Sequence, residues 1–297
     1  MFAQGFVNLT MPSAVPFFKT RIAPTPSGYL HAGNALNFLL TAALAKKHGA
    51  KLLLRIDDLD RERYRQAYAT DVFETLRFLN IHWEEGPQSV EEFEREWSQR
   101  YRLNLYAAAL EKLKEVNAVF ACTCSRTQSD ACTCSQKNLS LNEKGASWRL
   151  RTNENPVLVR TIDGNETIAQ LPAQMKNFIV RRKDGLPAYQ LASVVDDLHF
   201  GIDFIVRGHD LWPSTLAQVF LARQLGEEGF AAIRFYHHPL LMNESGEKLS
   251  KSAGDTSVKH WREERRTLRE FLAWVGNRIQ APTTGTDDVF NDFLLSP

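Results

Sequence analysis

The chain has 297 residues, of which 43% are hydrophobic and 24% are charged, enough apolar material for one or two domains with a substantial core. Its 36 Lys and Arg residues against 35 Asp and Glu residues leave a formal charge of +1, which excludes a protein that coats nucleic acid through overall basic charge. Because no run approaches the roughly 18 apolar residues of a membrane helix and no basic secretion signal opens the chain, we expect a cytoplasmic protein with no membrane partner.

The first third of the chain alternates strand and helix patterns. Residues 20–23 predict a strand, and the apolar spacing of residues 35–48, closed by a glycine, predicts the helix after it. Residues 51–56 predict a second strand, and the charged, periodic residues 90–115 predict a further helix. We therefore assign residues 20–117 to the first half of a Rossmann-like α/β domain.

The middle of the chain, residues 118–176, is predicted to be an insertion into that domain. It opens with a strand at residues 118–121 that leads into four cysteines, and a second strand is predicted at residues 157–162. A polar, loop-like stretch lies between them. We expect a small cysteine-containing module together with an acceptor-binding-like region.

The α/β alternation resumes after the insertion. Strands are predicted at residues 204–206 and 233–236, on either side of a helix at residues 213–225. Residues 177–258 are therefore assigned to the second half of a doubly wound parallel sheet with helices on both faces.

The two ends of the chain do not follow this pattern. Residues 1–19 show no clear periodicity and are expected to be a disordered leader. A charged amphipathic helix is predicted at residues 261–279, so residues 259–297 are expected to be a short helical extension.

Two short motifs suit the chemistry of ATP. The sequence HAGN at residues 31–34 lies where a strand gives way to a helix, where a glycine lets the backbone approach a phosphate and the helix N-terminus favours its charge. The sequence KLSK at residues 248–251 places two ammonium groups near a glycine, where they can meet the negative charge that develops at the α-phosphorus. Taken alone, the first motif is better explained by a surface histidine in a turn, and the second is explained equally well by a solvated basic loop.

In this order and more than 200 residues apart, the two motifs resemble the signatures of class I aminoacyl-tRNA synthetases. Four further segments are similar to the catalytic domain of glutamyl-tRNA synthetases: RIAPTPSG from residue 21, LRIDDLD from residue 54, YQLASVVDD from residue 189 and IVRG from residue 205. The resemblance covers residues 20–257 and implies that ATP activates glutamate as glutamyl-adenylate.

The resemblance implies an ATP site with named residues. In the family, catalysis depends on the residues that match His31, Asn34, Lys248 and Lys251. The residues implied in ATP binding are His31, Gly33, Asn34, Asp210, Lys248, Leu249, Ser250 and Lys251. Mg²⁺ is expected to bind with ATP and bridge its phosphate oxygens.

The resemblance also implies a glutamate site, formed by Arg21, Ala23, Thr25, Asp57, Tyr189 and Arg207. Guanidinium groups suit it because they bind carboxylates in a planar, bidentate way. The position of Asp57 is usually glutamate in the family and contacts the substrate amino group, so the shorter side chain moves the carboxylate back by roughly 1.5 Å. Without the surrounding motifs, structural ion pairs and a core tyrosine would explain the same residues.

All four cysteines of the chain, Cys122, Cys124, Cys132 and Cys134, form two Cys-x-Cys pairs. Four thiolates suit a tetrahedral structural zinc site, and reactive or buried thiols remain the alternative because Cys-x-x-Cys is the usual spacing. The short glutamyl-queuosine tRNA(Asp) synthetases resemble this chain in carrying a zinc-binding insertion here. Their pattern commonly has three cysteines and a tyrosine, so the fourth cysteine would replace the tyrosine ligand.

Three functions therefore stay open. About 40 residues follow residue 257, too few for the anticodon-binding domain of a full-length glutamyl-tRNA synthetase, which favours the short paralogue that joins glutamate to queuosine in the anticodon of tRNA(Asp). The first alternative is a shortened synthetase that charges the 3′ end of tRNA(Glu). The second is a catalytically silent, zinc-containing RNA-binding or regulatory module. The expected partners are ATP, L-glutamate and tRNA, and the chain is expected to be a monomer.

Overall fold

The computed structural model describes residues 15–125, 132–242 and 257–279. No helix within these ranges has the length and apolar character needed to cross a membrane. The described strands are β1 (Lys19–Ile22), β2 (Lys51–Leu54), β3 (Val119–Cys122), β4 (Ser147–Leu150), β5 (Val157–Thr161), β6 (Glu166–Ala169), β7 (Ile179–Arg181), β8 (Phe204–Gly208) and β9 (Arg234–His238).

Helices follow most of these strands. The described α-helices are α1 (Ala32–His48), α2 (Gln66–Phe78), α3 (Val90–Glu92), α4 (Leu103–Glu115), α5 (Tyr189–His199), α6 (Trp212–Gln224), α7 (Glu228–Ala231), α8 (Val258–Glu263) and α9 (Leu268–Gly276). A π-helical turn spans Phe93–Trp97, and 3₁₀ turns span Gln99–Arg102, Cys134–Gln136, Ala173–Met175 and His209–Leu211.

Parallel strands form the centre of the fold. β5, β9 and β8 pair in parallel in that order, β6 adds an antiparallel strand beside β5, and β1 pairs in parallel with β2. Asp203 joins the two groups, because its N–H donates to the Lys19 carbonyl at 3.2 Å and its carboxylate accepts the N–H groups of Phe18 and Lys19 at 2.8 Å. The expected α/β class with a parallel sheet is confirmed.

Side chains of the parallel strands pack into two separate cores. In β2, Leu52 and Leu54 belong to one apolar cluster, and Leu53 between them belongs to the other. In β8, Val206 belongs to the first of these clusters and Ile205 to the second. Because successive side chains of a strand point to opposite faces, α1 and α2 cover one face while α5 and α6 cover the other.

A separate antiparallel sheet carries the cysteine region. β4 pairs with β3 on one side and with β7 on the other. The strand pairing differs from the segment boundaries expected from the sequence. β5 falls within the predicted insertion but pairs with β9 of the main sheet, whereas β7 falls outside the insertion but joins the small sheet. A hydrophobic pattern predicts a strand but does not identify the strand with which it pairs.

The folded chain begins earlier than the sequence predicts. Phe17 is buried and stacks on Phe204 with ring centroids 4.2 Å apart, and Lys19 opens β1. Residues 15–19 of the predicted leader therefore belong to the fold, while residues 1–14 lie outside the described ranges.

Two predicted helices are each interrupted. The helix predicted at residues 90–115 is divided into α3, two irregular turns and α4, because Asp58 accepts hydrogen bonds from Ser98 Oγ at 2.6 Å and from the Gln99 N–H at 2.8 Å. The predicted C-terminal helix is divided into α8 and α9 at Arg265, whose φ of 55° is left-handed. A left-handed residue cannot continue a right-handed helix.

Gly86 allows the segment beside β2 to approach the strand closely. Its φ is 105°, and a Cβ built there would lie 2.1 Å from the Leu54 carbonyl oxygen. We expect Gly86→Ala to lower the free energy of unfolding by roughly 3 kcal/mol or more, because backbone must move. Urea unfolding measures the change, with Gly201→Ala as the matched control, since Gly201 has a φ of 66° but open space around it. Equal losses in the two variants would contradict this reading.

Candidate active site

A cleft of about 1000 Å³ is lined by residues that follow the carboxyl ends of β1, β2, β8 and β9. Open α/β sheets generally bind their ligands at this edge. The structure brings ten of the residues implied by the resemblance to the walls of this cleft: Arg21, Ala23, Thr25, His31, Gly33, Asn34, Asp57, Tyr189, Arg207 and Asp210.

His31 and Asn34 form the N-terminal cap of α1. The Gly33 N–H donates to His31 Nδ1 at 3.1 Å, and the His31 N–H donates to Asn34 Oδ1 at 3.1 Å. A Cβ at Gly33 would lie 3.0 Å from the His31 ring, so glycine lets the ring fold back over the first helical turn. The N-terminus of α1 therefore faces the cleft, where its dipole favours an anionic group such as a phosphate.

The predicted lysine motif, Lys248 to Lys251, lies outside the described residues. The described residues on either side of it reach the cleft, since Leu241 and Ser257 both line its wall. Ser257 forms a bridge with His31 as well. Described residues thus line the cleft on both sides of the motif along the sequence.

A cluster of buried ion pairs adjoins the cleft. Asp197 Oδ1 accepts hydrogen bonds from Arg21 Nε at 2.9 Å and from Arg55 Nη1 at 2.6 Å. Arg102 Nε donates to Asp196 Oδ1 at 2.7 Å. Burial raises the pKa of Asp196, but Arg55 and Arg102 outweigh it and hold that pKa below its ordinary value. The pairs tie β1 and the segment after β2 to α5.

Asp57 is engaged by a neighbouring arginine. Arg55 donates from Nε to Asp57 Oδ1 at 2.7 Å and from Nη2 to Asp57 Oδ2 at 3.0 Å, which is a bidentate pair. Burial raises the pKa of Asp57 above its ordinary value, and Arg55 opposes that rise. A substrate ammonium would have to share these oxygens with Arg55, so the expected contact of Asp57 with a substrate amino group stays a prediction.

Arg207 projects into the cleft with half of its guanidinium hydrogen-bonded. Nη1 donates to Thr215 Oγ1 at 3.2 Å and to Gln218 Oε1 at 3.0 Å. Nε and Nη2 are buried and donate to no described residue. Burial lowers the pKa of Arg207 to about 10, so the group is still charged at neutral pH. The Nε–Nη2 edge is the one with which arginine binds a carboxylate side-on.

Arg207 is the arginine of this buried cluster that has no carboxylate within ion-pair distance among the described residues. Arg21, Arg55 and Arg102 pair with Asp57, Asp196 and Asp197, and the buried Asp58 pairs with Arg61. A buried charge without a partner is costly. An anionic ligand at Arg207 would remove that cost.

Comparison with known proteins identifies the family to which the chain belongs. The family described as tRNA synthetases class I (E and Q), catalytic domain, matches residues 18–292. The chain belongs to that family. This class I synthetase chain is 33% identical to the glutamyl-Q tRNA(Asp) synthetase of Chromobacterium violaceum, over 92% of its own length and 91% of that protein. It is 31% identical to glutamate–tRNA ligase 2 of Syntrophus aciditrophicus, over 88% of its own length but only 58% of that protein, less than two thirds.

A solved structure supports the synthetase fold. The crystal structure of glutamate–tRNA synthetase from Elizabethkingia anophelis superposes with a TM-score of 0.66 at 21% identity, over 80% of this chain and 53% of that one. At this identity the similarity concerns the fold alone. It agrees with the parallel sheet described above.

Asn37, Gly208 and His238 line the cleft but were not assigned to the site in the sequence analysis. Asn37 Nδ2 lies 3.3 Å from His238 Nε2, and His238 Nδ1 lies 2.7 Å from the Pro239 carbonyl, so Nδ1 carries the proton and Nε2 accepts. Gly208 is needed beside Asp210, because a Cβ there would lie 2.6 Å from Asp210 Oδ1. Two features of the sequence could have indicated these residues: Asn37 lies one helical turn after the HAGN motif, and His238 belongs to a pair of histidines that follows a predicted strand.

His237, in β9, lies behind the cleft and is neutral. Burial, with a smaller contribution from Arg207, lowers the pKa of His237 to about 3. An unfolded histidine has a pKa of about 6.5, so between these values only the unfolded chain holds the proton. The contribution of the neutral ring to the free energy of unfolding is complete above pH 6.5. It is lost as the pH falls towards the pKa of His237 in the folded protein, about 3.

We therefore expect the free energy of unfolding to fall with pH more steeply in the wild type than in His237→Gln. The difference in slope between pH 6 and pH 4 is expected to reach about 1.4 kcal/mol per pH unit, because one proton is taken up on unfolding. Chemical unfolding of both proteins across this range measures it. Other titrating groups are common to both proteins and cancel, so parallel curves would show that His237 takes up its proton in the folded state.

The four cysteines of the synthetase meet at one point beside the small sheet. Their Sγ atoms all lie within 4.8 Å of one another, with 3.5 Å between Cys122 and Cys132 and 3.6 Å between Cys124 and Cys134. Four thiolates around one tetrahedral ion with bonds of about 2.3 Å lie about 3.8 Å apart. Cys122 and Cys134 are buried, and the donor set fits a closed structural metal site.

Proposed function

We propose that this chain uses ATP to activate glutamate as glutamyl-adenylate and transfers the glutamyl group to queuosine in the anticodon of tRNA(Asp). The observation that carries the first step is Arg207, a buried guanidinium whose side-on edge has no partner among the described residues. Such an edge suits a carboxylate and leaves an amide or an apolar side chain poorly bound.

The glutamate site of the proposal groups the arginines with the residues around them. Arg207 takes one carboxylate, and Arg21 offers the nitrogens that Asp197 does not use. Tyr189, which is 48% exposed, closes one side of the cleft. Asp57 supplies the negative charge nearest to a substrate ammonium, either directly or through water.

The ATP site of the proposal lies at the N-terminus of α1. The α-carboxylate of glutamate attacks the α-phosphorus, pyrophosphate leaves, and the new mixed anhydride retains the AMP group. His31 and Asn34 orient the phosphates, Gly33 leaves room for them, and Asp210 lies opposite on the cleft wall. Lys248 and Lys251, together with the backbone of Leu249 and Ser250, meet the charge of the transition state. Mg²⁺ bound with ATP supplies further charge neutralisation.

The acceptor of the proposal is that of a relative which the chain resembles along most of its length. The chain is 33% identical to a protein named glutamyl-Q tRNA(Asp) synthetase and covers 91% of that protein. This similarity supports the queuosine acceptor, in which a hydroxyl of the cyclopentene-diol attacks the adenylate and releases AMP. The second candidate, charging of the 3′ end of tRNA(Glu), is supported by the identity to the ligases.

Removal of the terminal adenosine of the tRNA separates these two acceptors. We expect glutamate to be transferred to queuosine-containing tRNA(Asp) both with and without its terminal adenosine, and not to tRNA(Asp) whose queuosine diol was oxidised with periodate. The unmodified tRNA(Asp) serves as the control. Transfer that needs the terminal adenosine of tRNA(Glu) would replace the proposal with the second candidate.

We also propose zinc as the metal of the four-cysteine site. Zn²⁺ combines thiolate preference with tetrahedral geometry and needs no redox partner. The proposed protein is a monomer that works in the cytoplasm, because its tRNA substrate is found there.

A further inference from the structure

Arg207 is held from behind by neutral groups of α6 and β9. Its Nη1 donates to Thr215 Oγ1 at 3.2 Å and to Gln218 Oε1 at 3.0 Å. Thr215 Oγ1 lies in turn 2.8 Å from Nε2 of His237. These contacts fix one side of the guanidinium without neutralising its charge, so the charge stays available on the other side.

The Thr215 hydroxyl links arginine to histidine. It accepts from Arg207, because a guanidinium has no lone pair to offer. The Thr215 hydroxyl donates its one proton to the Leu211 carbonyl at 3.3 Å, which limits the rotation of the side chain. Its second lone pair is then left to accept from His237, in the tautomer that carries the proton on Nε2.

The ring of His237 is itself fixed by aromatic neighbours. It lies nearly parallel to Phe235, at 18° with centroids 6.1 Å apart, and meets Trp212 edge-on at 5.0 Å. The imidazole therefore cannot turn away from Thr215 without disturbing this packing. The hydrogen-bonded series from His237 through Thr215 to Arg207 is therefore held in place at the His237 ring.

We propose that Thr215 and His237 are positioning residues that hold the Nε–Nη2 edge of Arg207 towards the substrate carboxylate. The inference rests on the proposed glutamate site. A bidentate pair needs both nitrogens in the plane of the carboxylate, so a guanidinium free to rotate loses affinity for glutamate while the ATP site is unchanged.

Isosteric pairs of variants test the role of each group. Thr215→Val removes the hydroxyl and Thr215→Ser retains it, and His237→Phe removes the polar atom while His237→Gln retains one. In ATP–pyrophosphate exchange we expect Thr215→Val and His237→Phe each to raise KM for glutamate roughly tenfold, with kcat and KM for ATP changed less than about threefold. The serine and glutamine variants are expected to stay within about threefold of wild type.

A double variant and a matched control sharpen the test. Both changes interrupt the same series of hydrogen bonds. The double variant Thr215→Val, His237→Phe is therefore expected to raise KM for glutamate no further than Thr215→Val alone. Thr75→Val is the control, since Thr75 is also buried in a helix but its hydroxyl has no hydrogen-bond partner in the part of the chain that the structure describes. Equal KM values for glutamate in Thr215→Val and Thr75→Val would overturn the inference.

The orientation of Arg207 can be observed without turnover. In ¹⁵N-labelled protein, the Arg207 guanidinium signal, assigned by its loss in Arg207→Lys, is expected to show slower rotation in the wild type than in Thr215→Val, where only Gln218 still accepts from Nη1. Identical rotation in the two proteins would contradict the positioning role. A wild type without glutamate-dependent exchange would refute the proposed function instead, and the rotation would still decide the role of Thr215.

Discussion

Replacing Arg207 by glutamine is expected to lower kcat/KM for glutamate in ATP–pyrophosphate exchange by roughly two to three orders of magnitude. A charged side-on contact to a carboxylate contributes about 3 to 4 kcal/mol when its partner would otherwise be buried alone. Arg207 is 3% exposed, and within the described part of the chain its Nε and Nη2 have no partner, so no described side chain replaces it. Exchange at saturating ATP, with glutamate varied, measures the loss.

The stability of this variant separates binding from folding. Because burial already lowers the pKa of Arg207 to about 10, the charged group is costly in the folded chain without ligand. Arg207→Gln is therefore expected to unfold at the same temperature as the wild type or above it. Arg160→Gln, at an exposed arginine paired with Glu166, is the control and should leave exchange unchanged. A fall in activity that only follows a fall in stability would contradict the assigned role.

Loss of the metal from the four-cysteine site is expected to have the largest effect on stability. The purified chain should contain one zinc ion, and Cys134→Ser should remove it, because a closed tetrahedral site needs its fourth thiolate. We expect the melting temperature to fall by roughly 10 °C, since a structural metal contributes several kcal/mol and each kcal/mol shifts melting by about 2–4 °C in a chain of this size. Elemental analysis and thermal unfolding measure both effects.

Ser147→Ala provides a matched control for the cysteine variant. The Ser147 hydroxyl donates to the Cys122 carbonyl at 3.0 Å in the same small sheet, but offers nothing to a metal. Its loss is expected to cost about 1 kcal/mol without changing the zinc content. The metal assignment would be wrong if Cys134→Ser and the wild type carried equal zinc, or if neither carried any.

The alternation of strands and helices could be predicted because it is local. The spacing of leucines in β2 and the glycine that ends α1 act within a few residues, and such signals place an element but not its neighbours. The family resemblance likewise implied ten residues that line the cleft. Most of them follow parallel strands, whose carboxyl ends lie at one edge of the sheet, whereas Tyr189 follows β7 of the antiparallel sheet.

Long-range hydrogen bonds account for most of what the sequence did not predict. Asp58 interrupts a helix by binding Ser98 and Gln99, about forty residues away along the chain. Arg55 pairs with Asp197, which lies 142 residues away. No spacing rule connects such residues, since only the folded sheet brings them together.

The free edge of Arg207 could not be predicted for the same reason. The resemblance implied a carboxylate-binding arginine, but only the structure shows that Thr215 and Gln218 hold its Nη1 and that Nε and Nη2 bind no residue in the described ranges. His237 lies one residue beyond the strand predicted at residues 233–236 and was given no role. Its role depends on the ring neighbours that β9 acquires on folding.

The central claim is that the cleft activates glutamate, and ATP–pyrophosphate exchange tests it most directly. The purified chain should be assayed with glutamate, glutamine and aspartate, each with and without tRNA. We expect exchange with glutamate alone and without tRNA, because Arg207 lines the described cleft and its buried Nε and Nη2 have no partner among the described residues. Exchange with glutamate that requires tRNA(Glu) would favour the shortened tRNA(Glu)-charging enzyme, and no exchange with any amino acid, with or without tRNA, would contradict the account and leave a silent binding module.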